Sequence, residues 1–456
     1  MLSGLQRDAV ERSGQAVGPG RPRSDGDTFI RVGKCLTMTS GIETEAEGVV
    51  VDRTMTKERV LVGRPPLLRQ TNAQILLRLL RETGPCSKAD LVRASGLSAP
   101  SVTNVVAHLA LAGLVEPIGE GDSTGGRPPD ILRFRAERGC VGAVEIGPDF
   151  LRFLLADLDG REIGNATIPL ERPSSAPPEV CDQISEAVRD LLRHQHHTEE
   201  QLLGLVVGVP AIVNVREGVV RALSALKGWN NVPLGEMLAK DFKCPVTIEN
   251  DTNLAAQGEY YRGAAKGEKD FVFITIGEGV GAGIFVNGSL YRGSQWTAGE
   301  IGYLRVPSVS REHPAIHKYG KIEKLLGAPG ILKSWQSDRQ RSPAHPKVKR
   351  AADVFDLAAA GNAEAKRLLR QRANLLADIV LDLALVLNPS VILLGGEVGN
   401  HPRLLQEVEE LLKGSEYPIV RVGLSALGSS AVLWGAIHTA LDPALLRLLQ
   451  PSDSLA

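Results

Sequence analysis

The sequence predicts an α/β body of mixed sheets with helices packed on them, preceded by a small three-helix module with a β-hairpin. Three observations carry this. From residue 141 onward, short apolar runs such as 141–146, 150–158 and 203–209 alternate with helix-period stretches such as 178–194, the pattern of strands covered by helices. Between 67 and 112, apolar residues recur at helical spacing in blocks separated by Gly84-Pro85 and Gly96-Leu97-Ser98. The runs 114–117 and 130–135 then flank a glycine-rich tip at 119–129, as two strands flank a turn.

A chain of 456 residues is long enough for two or three domains. The expected divisions are a disordered extension at 1–63, where no helical or strand period is sustained, the small module at 64–136, and a two-lobed body at 137–450. Apolar residues make up 43% and charged residues 23%, ordinary values for a soluble protein. The formal net charge of −1 excludes a globally basic coat, so any nucleic-acid binding belongs to a local module. Cys35, Cys86, Cys140, Cys181 and Cys244 stand far apart with no C-x-x-C pair, which argues for reduced thiols and against a clustered-cysteine metal site. No apolar run is long enough for a membrane span and none resembles a signal segment, so the expected location is cytoplasmic.

Within the module, Ile75, Leu76, Leu79 and Leu80 mark the apolar face of a first helix. Ser87 caps a second helix carrying Leu91 and Val92, and Ser98 caps a third over 99–112. Val102, Val105, Val106 and Leu109 face inward there, leaving Ser98, Ser101, Thr103, Asn104 and His108 for the outside. This is the layout of a winged helix-turn-helix, whose last helix presents small polar side chains to base edges. In the wing, Gly125-Gly126-Arg127-Pro128-Pro129 places Arg127 to reach a minor groove or a phosphate. Ten Lys and Arg against seven Asp and Glu over 64–138 is a modest excess, so DNA affinity is expected to need a dimer.

In the body, the strand at 246–248 delivers Asn250 and Asp251 to its end, directly before a helix. A carboxylate and an amide at such an opening suit the hydroxyls of a polar small molecule, or simply cap the helix. Further on, Gly277-Glu278-Gly279-Val280-Gly281-Ala282-Gly283 lies between two strands and not before a helix, so it is a hairpin and not a dinucleotide loop. Its amides can wrap phosphates or merely make a tight turn. Gly299-Glu300-Ile301-Gly302-Tyr303 places another carboxylate between glycines, and a long helix is expected over 363–387.

These stretches, together with Gly204-Leu205-Val206-Val207-Gly208-Val209-Pro210 and Gly228-Trp229-Asn230-Asn231-Val232-Pro233-Leu234, resemble the ROK family of repressors and sugar kinases. The resemblance runs over about 141–441 and implies the two-lobed actin-like ATPase (ribonuclease H-like) fold; the module resembles the winged helix of the family's repressor branch. It further implies that Asn250, Asp251, Glu300, Tyr303 and Glu323 form a sugar site, with Asp251 as the base if the protein is a kinase. Carboxylates accepting vicinal hydroxyls make charge-assisted bonds, which is why acids serve a neutral sugar.

Two departures shape the functional expectation. The family's kinases open with an Asp-x-Gly-Gly-Thr phosphate turn, whereas this chain has Glu145-Ile146-Gly147-Pro148-Asp149, which removes a backbone donor and adds charge beside the expected phosphates. Glu278 likewise replaces a threonine in the hairpin. The family's zinc ligands are replaced by Tyr303, Pro314, Ile316 and Lys321, and His313 and His317 alone do not make a zinc site; the Tyr303 ring is suited to stack on a ligand or to fill the vacated space. The expected protein is therefore a DNA-binding regulator, not an enzyme, without metal or cofactor. Its expected partners are operator DNA, a sugar or sugar-phosphate effector and a second copy of itself in a homodimer or homotetramer, with no membrane.

Overall fold

The computed structural model describes residues 65–121, 128–170, 176–222, 228–305, 319–341, 346–413 and 420–449. The extension at 1–63, the wing tip with Arg127, and the loop carrying His313, Pro314, Ile316 and His317 lie outside the described residues.

The module opens with helix α1 (Pro65–Thr83), the two-residue strand β1 (Cys86–Ser87), and helices α2 (Lys88–Ser95) and α3 (Ala99–Leu111). Ser87 and Asp90 form a reciprocal capping box on α2, and Gly96, at φ 69°, ends it in the left-handed conformation that lets the chain turn directly into the next cap. Ser98 accepts the Ser101 N–H to start α3. The inward faces agree with the spacing for α3, where Val102, Val105, Val106 and Leu109 are buried. In α1 the buried set is Ala73, Leu76, Leu77 and Leu80, so Ile75 and Leu79 lie at the edges of the face. Strands β2 (Val115–Glu120) and β3 (Asp130–Phe134) pair antiparallel with Val115 opposite Phe134, and β1 adds to the far side of β3. That third strand is too short to register in a sequence pattern.

The first lobe is a five-stranded sheet built from β4 (Cys140–Ile146), β5 (Phe150–Asp157), β6 (Glu162–Pro169), β7 (Leu202–Val209) and, further along the chain, β10 (Val246–Asn250), in the order β10-β7-β4-β5-β6. Helix α4 (Pro177–His194) covers one face, joined by α5 (Leu234–Ala239) and the small ribbon of β8 (Ile212–Asn214) and β9 (Val219–Ala222). Helix α6 (Asp251–Arg262) leaves the end of β10. The second lobe repeats the arrangement with β11 (Phe271–Ile276), β12 (Val280–Val286), β13 (Ser289–Tyr291), β14 (Val391–Gly395) and β15 (Arg421–Leu424), in the order β13-β12-β11-β14-β15. Helices α7 (Glu323–Leu326), α8 (Ala328–Arg341), α9 (Ala351–Ala359), α10 (Ala363–Leu387), α11 (Gly396–Gly399) and α12 (Pro402–Leu412) complete it, and their apolar faces make one core with the sheet. The two sheets are related, each with parallel and antiparallel neighbours.

Helix α13 (Ala431–Leu448) returns from the second lobe and lies on the face of the first sheet formed by β4, β5 and β7. It crosses α6 backbone to backbone. A Cβ at Gly435 would fall 1.8 Å from the Leu254 carbonyl, and one at Gly258 would fall 2.3 Å from that of Ala431. Fully buried Glu259, on α6, anchors the loop before α13: it accepts the Ser425 hydroxyl at 2.5 Å and the Leu427 N–H at 2.9 Å, and the Ala264 N–H at 2.7 Å. These donors replace the water that a buried carboxylate loses. The far end of α13 shares a core with the module, where Arg81 on α1 pairs with Asp159 at 3.1 Å.

Candidate sugar-binding cleft

β10 runs parallel to β7 with Asn250 opposite Val209, so both strands stop at the same edge of the sheet. Asn250 is the N-cap of α6: its Oδ1 accepts the Asn253 N–H at 2.9 Å and its Nδ2 donates to the Ala211 carbonyl at 3.0 Å. The capping reading of this residue is thus realised, and capping holds the amide rigidly at the cleft. Asp251 opens the helix, one turn earlier than the apolar run beginning at Leu254 implies, and its Oδ1 accepts the Thr252 N–H at 2.6 Å.

Behind them lies Glu249, only 1% exposed. It accepts the Asn250 N–H at 2.9 Å, Asn253 Nδ2 at 3.1 Å and, from the loop after β13, Arg292 Nε at 2.6 Å. This ion pair ties the first lobe to the second directly beneath the site residues. Sequence reading missed it, because the partners stand 43 residues apart in separate motifs.

The second lobe brings Glu300 and Glu323. Gly299, at φ 88°, presses against β12, where a Cβ would fall 1.8 Å from the Ala282 carbonyl; only glycine permits this approach, which sets Glu300 at the cleft. Glu323 opens α7 and accepts the Gly320 N–H at 2.5 Å and the Val280 N–H at 3.3 Å, tying α7 to the hairpin. Tyr303 is half-buried at the end of the short turn that follows Glu300.

Electrostatics bind these residues into one cluster. Burial pushes Asp251 up to about 7, and the Glu145 carboxylate adds to the shift. Burial also pushes Glu300 up to about 7, reinforced by Glu323 and Asp251. Glu323 is raised by burial, while its two backbone donors oppose the rise. Glu145 on β4 lies close enough to raise Asp251 on α6, and Asp251 and Glu323 lie close enough to raise Glu300, so the four carboxylates form one electrostatic cluster. Asp251, Glu300 and Glu323 are brought together as expected, with Asn250 at their shoulder. Glu145 is the addition; its place beside the altered phosphate turn was the available signal.

That turn is closed. The Gly147 N–H donates to the Phe150 carbonyl at 2.9 Å, and a Cβ on Gly147 would fall 2.3 Å from the Phe150 ring. Arg152 lies over that ring at 4.6 Å and reaches Glu145 with 2.6 Å between Nη2 and Oε2. The ion pair is out of line for a hydrogen bond, and burial still raises Glu145 despite it. The Gly147 N–H is thus paired within the hairpin, and the Phe150 ring fills the space beside Gly147. The hairpin glycines make a tight antiparallel turn with Ile276 opposite Val280, seated on α8 through the Ala328 N–H and the Gly277 carbonyl at 2.7 Å. Among the described residues no group of three or more His, Cys, Asp or Glu could hold a metal ion.

In the module, Thr103 and Asn104 are exposed on α3, and Ser98 and Ser101 bond each other at 2.8 Å at its start. His108 differs from expectation. It is half-buried, with Nε2 3.2 Å from the Leu449 carbonyl, because the end of α3 abuts the end of α13; it faces the body and not the exposed side.

Comparison with known proteins agrees with this geometry. The ROK family profile matches residues 141–442. The chain belongs to the ROK family. A xylose repressor of Bacillus spizizenii is 26% identical over 364 residues, spanning 80% of this chain and 92% of the relative. A glucokinase of Halalkalibacterium halodurans is 29% identical over 313 residues, spanning 66% of this chain and 94% of the relative. Among solved structures, a ROK family transcriptional regulator described as a homologue of the E. coli MLC protein superposes with a TM-score of 0.70 at 24% identity, covering 84% of this chain and 98% of that one. At that identity the likeness establishes the fold, an actin-like ROK body. Among the described residues no helix of this ROK chain is long and apolar enough to cross a membrane.

Proposed function

We propose that this ROK protein is a sugar-responsive transcriptional repressor. The module binds operator DNA as a dimer, through Ser98, Ser101, Thr103 and Asn104 on α3 and through Arg127 in the wing. A sugar binds between the lobes, its hydroxyls held by Asn250, Asp251, Glu300 and Glu323, with Tyr303 at the rim, and alters operator affinity. The observation that supports this reading is the clustering of Asp251, Glu300 and Glu323, acids suited to hold hydroxyls, beside a 145–149 turn whose Gly147 N–H and neighbouring space are taken up by Phe150. The share of this chain spanned by the repressor relative, 80% against 66% for the glucokinase, supports it.

Sugar phosphorylation is the rival reading, and one observation favours it. A carboxylate raised to about 7 is suited to take a hydroxyl proton at neutral pH. An ADP-release assay across a panel of hexoses and pentoses separates the two. No turnover is expected; turnover that vanishes in Asp251→Asn would make the protein a kinase. In the positive test, operator duplex selected from random DNA is titrated with the same sugars, and operator affinity unmoved by every sugar would remove the sensing role.

A further inference from the structure

We propose that Trp296 selects the ring form of the effector, its indole closing over the C–H face of a pyranose whose hydroxyls the acids hold. This rests on the sugar-binding reading above. Trp296 has φ 61°, and the other non-glycine residues with positive φ among the described residues are His196, Asn231, Asn287 and Asn388. Asparagine tolerates this region, whereas a bulky side chain there is strained, and strain of this kind gathers at ligand clamps.

Among the described residues, Trp296 belongs to none of the apolar cores. Trp229 and Trp335 are 0% and 1% exposed, whereas Trp296 is half-buried between exposed Gln295 and Thr297. Among the described residues it has no ring partner and its indole N–H has no acceptor. Tyr303, the other aromatic beside Glu300, is already engaged within the chain.

The loop is also fixed to the site at both ends. Arg292 holds Glu249 at 2.6 Å, and the Ala298 N–H returns to the Arg292 carbonyl at 3.2 Å, closing a strap across 292–298. Gly299 follows, bonded through its carbonyl to the Ala282 N–H at 2.8 Å, and Glu300 is next. An aromatic side chain is thus carried on a short pinned strap that begins at Arg292, the partner of Glu249 behind Asn250, and ends two residues before Glu300. The acids read hydroxyls, which an open-chain polyol also offers; a flat apolar platform distinguishes the ring.

The test uses the full chain and calorimetry with D-xylose, D-glucose and D-glucose 6-phosphate, each beside its alditol. Trp296→Gly suits the positive φ, so its thermal midpoint should not fall. Its affinity for the sugars should drop about tenfold or more while that for the alditols holds, and Trp296→Phe should stay within about threefold of the parent. The sugar-induced change in tryptophan emission should vanish in Trp296→Phe. Trp296→Gly binding sugars as tightly as the parent, or losing sugars and alditols by one factor, overturns the proposal. Loss of binding in Asp251→Asn but not in Trp296→Gly removes the tryptophan role and leaves the sugar site standing. A parent that binds none of the panel removes the sugar reading and this inference with it.

Discussion

In the proposed function, Asp251 is the residue on which sugar chemistry and pH meet. Hydroxyls donate to a carboxylate, so binding favours the charged forms of Asp251 and Glu300, both near 7 without ligand. Sugar affinity should therefore be highest above pH 7 and weaken by up to about tenfold per pH unit for each of the two carboxylates as pH falls below it. Calorimetry at pH 8, 7 and 6 checks this, and a flat profile would remove the carboxylates from the site. Stability should run the other way. The folded-state value of Asp251, about 7, lies above its ordinary 3.8, so between pH 4 and 7 the folded chain keeps a proton that the unfolded chain has lost. Its contribution is full below about pH 4 and is lost as pH rises towards 7, by up to roughly 4 kcal/mol. Urea melts of the sugar-free protein should show the decline, and Asp251→Asn should reduce it, leaving the part that Glu300 contributes. At this scale the sequence disclosed Asp251, Glu300 and Glu323 through their motifs. It could not disclose the Arg292–Glu249 or Arg152–Glu145 pairs, because a side chain's partner depends on sheet order and loop path, and it misdirected His108, whose partner Leu449 is 341 residues away.

Among the elements, those with a full apolar pattern were legible. The 363–387 stretch is α10, residue for residue, and the β11–β12 hairpin follows from a strand on each side of its glycines. Short or tertiary-made pieces were not: β1 has two residues, β13 has three, and β15 is held by parallel pairing to β14. The α6–α13 crossing is equally silent in sequence, since Gly258 and Gly435 acquire meaning only from the backbone they face. Gly435→Ala should drive its Cβ into the Leu254 carbonyl and cost about 1–3 kcal/mol, read as a lower urea midpoint. The cap on α3 gives a smaller effect: Ser98→Ala should destabilise the chain by about 1 kcal/mol. Thr103→Ala and Asn104→Ala, both exposed, should leave stability unchanged and weaken operator binding. An unaltered operator affinity in the double variant would displace α3 as the reading helix.

Across the whole molecule, one connected path of packed elements joins the cleft to the module. Asp251 begins α6, α6 meets α13 through two glycines, and α13 ends against His108 on α3. A sugar that prefers one arrangement of the lobes can shift the module through this path only by its differential affinity for the two states, and a change from mostly bound to mostly free needs several kcal/mol of preference. The central claim is that the acid cluster reports a sugar to the DNA-binding module without transforming it. Fluorescence anisotropy of labelled operator, titrated with parent and Asp251→Asn protein with and without saturating sugar, tests this most directly. The expected result is a sugar-dependent shift in operator affinity for the parent, and equal sugar-free affinity but no shift for the variant. An equal shift in both proteins would contradict the claim.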